Sequence, residues 1–187
     1  MPGMVLLEEN FENFAASASA WTSAEGSVWQ VQTDGALVSN VYTQTETTRS
    51  QPNLSVAGVA SWRDVIVEAD VSIRSFNGSS SSYMAGLCVR VQDAESFYLV
   101  GIRSNDGKLG LRRFADGGTN LIQSEFDQGT TGVWYHLRVE AVASTITAYL
   151  DDQLMFSHED DDLASGGIAL CTVRASASFD NVRVTTP

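Results

Sequence analysis

The chain has 187 residues, 43% of them hydrophobic, with 11 Lys and Arg against 23 Asp and Glu for a net charge of −12. That balance excludes a phosphate-backbone partner and disfavours an anionic membrane surface, since both need clustered basic residues, and Lys108 is the sole lysine. No apolar run approaches the ~20 residues that cross a bilayer as a helix, so the sequence reads as one soluble globular domain, residues 1–187, able to bury a core of its own.

The N-terminus MPGMVLLEENF lacks the basic segment, long apolar stretch and cleavage site of a secretory signal. The protein therefore stays inside the cell or its chain begins after a removed signal. A short strand is expected at 5–7, and then an irregular entry loop over 10–21, rich in Ala and Ser, with room for a helical turn. Strands follow at 28–33, 36–42, 63–73, 83–91, 97–103, 108–114, 120–126, 133–141, 145–150, 167–173 and 179–184. The segments at 133–141, 145–150 and 179–184 each alternate apolar and polar residues with period two. The breaks carry turn residues: Asp34-Gly35, Asn77-Gly78, Asp106-Gly107, Asp116-Gly117-Gly118 and Gly166-Gly167, with Gly or Asn supplying the backbone angles that hairpins need. The segment FNGSSSS over 76–82 is expected as a flexible loop. About a dozen strands without a long amphipathic helix give an all-β, two-sheet antiparallel sandwich.

In this order the residues resemble the concanavalin A-like lectin/glucanase jelly roll, and in particular the laminin-G-like modules attached to bacterial polysaccharide lyases and glycoside hydrolases. The marks are Glu9-Asn10-Phe11-Glu12, Trp21, Trp29, Trp62-Arg63-Asp64, Gly86-Leu87 with Arg90, Phe97-Tyr98-Leu99, Trp134-Tyr135-His136-Leu137-Arg138, Ala148-Tyr149-Leu150 and Phe179-Asp180-Asn181-Val182. The resemblance implies a polysaccharide ligand, a neighbouring catalytic domain in a longer parent chain, and an extracellular or periplasmic place of work.

Parity sorts the strand faces. In VIVEADVSI the row Val65, Val67, Ala69, Val71, Ile73 leaves Glu68 and Asp70 on the other side. In GLCVRV the row Leu87, Val89, Val91 leaves Cys88 and Arg90 opposite. In WYHLRVEA, Trp134, His136, Arg138 and Glu140 oppose Tyr135, Leu137 and Val139. In TITAYLD, Tyr149 faces away from Ile146, Ala148 and Leu150. Parity does not say which of these polar sets share a sheet. If they share a concave one, Glu68, Asp70, Arg90, Tyr98, Arg103, Arg138 and Tyr149 form a groove that stacks sugar rings on tyrosine and bonds hydroxyls through arginine and carboxylate. The alternative is that Glu68, Asp70, Arg90 and Arg138 are cross-strand ion pairs on a solvated face.

The expected function is a non-catalytic carbohydrate-binding module, with a hydrolase or lyase of the same fold as the alternative and a protein-interaction domain as a third reading. Glu68-Ala69-Asp70 begins the Glu-x-Asp-x-(x)-Glu pattern of family 16 glycoside hydrolases, but Ser72 and Ile73 stand where the second Glu belongs, so the two carboxyl groups of that mechanism are not assembled. A lyase would draw on Tyr98 or His136 with Arg90. Cys88 and Cys171 sit in apolar strands as buried thiols, with a single bridge as the alternative. His136 and His158 are too isolated for a zinc site. The acidic run 158–162 reads as a solvated loop. In related jelly rolls a structural calcium is held by the Asp of the last strand with carbonyl groups near the N-terminus. That resemblance implies Asp180 as ligand, with Gly35 and Glu12 as partners, and calcium accepts such a mixed oxygen set.

Overall fold

A computed structural model describes residues 3–115, 117–127 and 129–187. Asp116, in one of the expected turns, lies outside them. The strands are β1 (Val5–Glu9), β2 (Thr22–Ser23), β3 (Trp29–Asp34), β4 (Ser39–Gln44), β5 (Asn53–Ala57), β6 (Val65–Phe76), β7 (Met84–Val91), β8 (Phe97–Arg103), β9 (Lys108–Phe114), β10 (Thr119–Asp127), β11 (Trp134–Val142), β12 (Thr145–Leu150), β13 (Gln153–Glu159), β14 (Gly167–Val173) and β15 (Ala175–Thr185). One helical turn, α1 (Phe14–Ser17), continues into a 3-10 turn at Ala18–Ala20 in the entry loop. An eight-stranded sheet runs β13-β12-β11-β6-β15-β4-β3 with β1 paired to β15, and a seven-stranded sheet runs β10-β9-β8-β7-β14-β5-β2. All pairings are antiparallel. This is the expected jelly-roll sandwich.

The alternating rows meet between the sheets. Val65, Val67, Ala69, Val71 and Ile73 of β6 share one buried core with Leu87, Val89, Val100, Ile102, Leu109 and Leu111 of the facing sheet. Phe11, Trp21 and Tyr42 extend this core at the entry loop, the Phe11 and Tyr42 rings stacked at 5.1 Å.

Three short strands were not expected, each for a physical reason. In β5 the apolar residues Leu54 and Val56 join a second cluster instead of the main core, and the polar residues point inward. There Asn53 Nδ2 donates to Thr172 Oγ1 at 3.3 Å and Ser55 Oγ donates to the Tyr42 hydroxyl at 3.3 Å. β13 is a sheet edge whose Leu154 is exposed, so it carries little apolar signal. β2 is only two residues long. The strand expected at 36–42 begins later, because Ala36 and Leu37 donate their N–H groups to Asp34 Oδ1 and prolong the turn.

The second cluster covers the outward face of the seven-stranded sheet. Met84, Cys88, Val91, Phe97, Leu99, Phe114, Ala169 and Cys171 are all buried there. Cys88 and Cys171 are joined by a disulfide between β7 and β14, so the bridge, and not the pair of free thiols, is the state observed. Gly86, Gly101 and Gly110 stand side by side across β7, β8 and β9. A Cβ on Gly86 would lie 2.0 Å from the Val100 carbonyl oxygen, so the backbones close on each other along this row.

Candidate functional site

The residues expected to share one groove fall into three places. Glu68, Asp70, Arg138 and Tyr149 come together on the outward face of the eight-stranded sheet, where Arg138 stands opposite Glu68 on one side and Tyr149 on the other. Arg138 is held on three sides: Nε is 3.6 Å from Glu68, the head group also pairs with Glu140, and the guanidinium lies 5.0 Å over the Tyr149 ring. This is the cross-strand ion-pair arrangement, and it covers one face of the tyrosine that was expected to stack on a sugar.

Arg103 lies on the other sheet, paired with Asp106 at 2.9 Å and bonded to Gln123.

Arg90 and Tyr98 are inside the sandwich, which corrects their assignment to the groove. Arg90 is the extra residue of a bulge between β7 and β14, with φ of 53°. The bulge reverses the parity expected for GLCVRV, sending Arg90 inward and Val91 out to the second cluster. Arg90 donates to the Leu163 carbonyl at 2.8 Å and to that of Ala143. Tyr98 accepts from the Leu163 N–H at 3.1 Å and donates to Asp160, and Arg113 clamps Asp160 at 2.7 Å and also pairs with Asp162. Burial, with the Asp160 bond, pushes the Tyr98 hydroxyl far above its ordinary pKa, and burial lowers that of Arg90. The acidic run is thus pinned to the sandwich at Asp160, while Glu159, Asp161 and Asp162 remain exposed to solvent.

The polar depression with open space lies elsewhere on the eight-stranded sheet. One hollow of about 300 Å³ is lined by Asn10, Glu12, Leu37, Ser39, Asp70, Trp134, Asp180 and Asn181. A second, of about 580 Å³, shares Asn10 and Asn181 and extends along Glu8, Glu9, Asn13 and Arg183. Register builds the first: Asp180, Asp70 and His136 are neighbours across β15, β6 and β11, with Trp134 two residues along. A bulge after Asp180 gives Asn181 a φ of 50°, and turns its amide to donate to Asp70 Oδ2 at 2.9 Å. The other oxygen of Asp70 holds His136 Nδ1 at 2.9 Å. Arg74 lies over Trp134 at 5.4 Å and pairs with Asp34.

Ser39 Oγ is 2.6 Å from Glu12 Oε1 and 3.4 Å from Asp180 Oδ2. One hydroxyl proton serves only one of these carboxylates. The Ser39 bond and the Asn40 N–H hold the Glu12 carboxyl below its usual pKa. Asp180 is buried, and burial raises its pKa, with Asp70 and Glu12 adding repulsion. Neither Glu12 nor Asp180 has a basic ion-pair partner among the described residues. Gly35 is not among the residues lining this hollow. Also among the described residues, no group of three or more His, Cys, Asp and Glu is placed to hold a metal, and no helix is long and apolar enough to cross a membrane. Sequence reasoning missed Asn10, Ser39, Trp134 and Asn181 as site residues, although Asn10, Trp134 and Asn181 lie in motifs that carry the family likeness.

Residues 9–185 match the family model described as a 3-keto-alpha-glucoside-1,2-lyase-like domain. A levanase of Bacillus subtilis (strain 168) is 24% identical over 169 residues, which cover 90% of this chain and 23% of the levanase. The chain thus spans about a quarter of that relative's length. Among solved structures, the carbohydrate-binding module CBM66 from Bacillus subtilis aligns with a TM-score of 0.72 at 22% identity, covering 89% of this chain and 96% of the module. Domain 4 of AbnA, a GH43 extracellular arabinanase from Geobacillus stearothermophilus in complex with arabinotriose, aligns at 0.67 and 11% identity over 100% of this chain and 94% of that domain. These likenesses bear out the jelly roll read from the sequence motifs.

Proposed function

Because the chain belongs to the 3-keto-alpha-glucoside-1,2-lyase-like domain family, we propose that it is a carbohydrate-binding module that takes a neutral saccharide in the hollow at Asn10, Asp70, Trp134 and Asn181. The observation that carries this reading is the composition of the hollow: the Trp134 indole, the Asp70 carboxylate and the Asn10 and Asn181 amides converge on open space, with the Glu12 and Asp180 carboxylates completing the wall. Those are the groups that pair with vicinal hydroxyls and with the apolar face of a pyranose or furanose ring. The relatives named for levan and arabinan enzymes support a polysaccharide ligand and a parent protein with a catalytic domain. They also support an extracellular location, as does the Cys88–Cys171 bridge, since disulfides persist in oxidising compartments. Titration calorimetry against fructan and arabinan oligosaccharides tests the reading. Trp134→Ala and Asp70→Asn should each weaken binding by roughly tenfold or more, with no reducing ends released by the wild type. Unchanged affinity in both variants would sink it.

A second reading is favoured by the contact between His136 and Asp70. Asp70 holds Nδ1 of the imidazole and leaves Nε2 available as a base beside the hollow, the arrangement that proton abstraction next to a keto group would use in a lyase. Elimination from a 3-keto-glucoside by the wild type, lost in His136→Ala, would establish the enzyme. Its absence in the wild type leaves the binding module.

We further propose that Glu12 and Asp180 hold a calcium ion with backbone carbonyl groups around them. Their fit rests on a buried carboxylate with no cation beside it. The folded-state pKa of Asp180 is raised, so the ion-free fold loses stability as pH rises through that value. Calcium should therefore raise Tm more at pH 7 than at pH 4, a hundredfold excess over the pH 7 Kd stabilising the fold by about 2.7 kcal/mol. EDTA should remove the gain, and Asp180→Asn should abolish it. A Tm indifferent to both calcium and EDTA would refute the site.

A further inference from the structure

On the outward face of the seven-stranded sheet, well away from the hollow, β8 and β9 carry two arginines, Arg103 and Arg112, in a strongly acidic protein. Leu99, Arg112 and Asn120 form one cross-strand row, and Gly101, Gly110 and Gln123 the next. The two glycines leave β8 and β9 bare in that row, and the Arg103 stem lies down on Gly110, its Cδ 2.9 Å from where a Cβ would stand. Arg103 is balanced by Asp106. Arg112 has no carboxylate partner among the described residues, and its buried Nε has no hydrogen-bond partner. One face of its guanidinium rests 4.9 Å over Phe114, and its hydrogen bond to the Gly118 carbonyl is long at 3.5 Å. Burial lowers its pKa. The serine-rich loop leans onto the same area, where Asn120 Nδ2 donates to Ser81 Oγ at 3.3 Å and the Ser80 N–H donates to Ser104 Oγ at 2.8 Å.

We propose that this surface is a second saccharide site, selective for a sugar carboxylate, with Arg112 as its fork and Asn120, Gln123 and Ser81 as hydroxyl partners. A half-buried guanidinium held over an aromatic ring is pre-organised to bond a carboxylate through two parallel N–H groups. The net charge of −12 repels long polyanions, so the ligand is a short acidic oligosaccharide or a chain end.

The test is calorimetry with trigalacturonate, with arabinotriose as the neutral control. The wild type should bind trigalacturonate with an affinity that falls as NaCl rises, Arg112→Ala should lose roughly tenfold or more, and Arg112→Lys should recover only part. Protection of Arg112 from phenylglyoxal by trigalacturonate, followed by mass spectrometry on the wild type, gives the same answer if Arg112→Ala fails to fold. No binding by the wild type, no protection of Arg112, or loss of trigalacturonate binding in Trp134→Ala with none in Arg112→Ala would overturn the proposal. The last result would assign the acidic ligand to the hollow. Arabinotriose lost in Trp134→Ala but trigalacturonate retained would support both sites separately.

Discussion

Replacing Gly86 with alanine should lower Tm by roughly 10 °C or prevent folding outright, a cost of about 3 kcal/mol or more. The added Cβ would meet the Val100 oxygen at 2.0 Å and the Gly101 Cα at 2.6 Å. Both are backbone atoms of the adjacent strand, so no side-chain rotation relieves the contact. Gly101, whose own Cβ would stand 2.8 Å from the Ala85 carbonyl oxygen, shows that the close approach is mutual. Gly35→Ala is the control, because nothing lies within 4 Å of its Cβ position, and it should melt like the wild type. A Gly86→Ala protein with wild-type Tm would mean that β7 and β8 do not approach as described.

The second large effect concerns the disulfide. Cys88 and Cys171 are 83 residues apart, and a cross-link of that span restricts the unfolded chain by about 4 kcal/mol in the loop-entropy account. The double variant Cys88→Ala, Cys171→Ala should accordingly melt well below the wild type, and thermal unfolding in strong reductant should approach the variant's curve. Because the bridge is buried in the second apolar cluster, the reductant should act only once the sheet opens. Identical melting of the oxidised wild type and the double variant would show that the bridge adds no stability.

The sheet count and the main core were legible because β6, β11 and β12 are half-buried strands, whose period-two alternation names the inward face directly. The same signal misled at Arg90, where one bulge residue reverses the parity of everything after it. It was also ambiguous at Cys88 and Cys171: both were placed on apolar strands, but nothing in either strand says that β7 and β14 are neighbours. β7, β8 and β14 of the seven-stranded sheet are buried on both faces, so these strands read as continuous apolar runs without a preferred side. The hollow escaped detection for a different reason. Its walls come from the two chain ends, β1 with the entry loop and β15, and from the β3–β4 turn, which the fold joins across most of the sequence. Individually, Asn10 and Asn181 are ordinary loop and strand residues.

The central claim is that a neutral saccharide occupies the hollow at Asn10, Asp70, Trp134 and Asn181. Backbone amide shifts of the isotope-labelled wild type, followed during titration with fructan and arabinan oligosaccharides in the presence of calcium, test it most directly. The account predicts concentration-dependent shifts at Asn10, Ser39, Asp70, Trp134 and Asn181, together with a moving indole N–H signal of Trp134. Shifts confined to another surface, or no shift with any oligosaccharide at millimolar concentration, would contradict it.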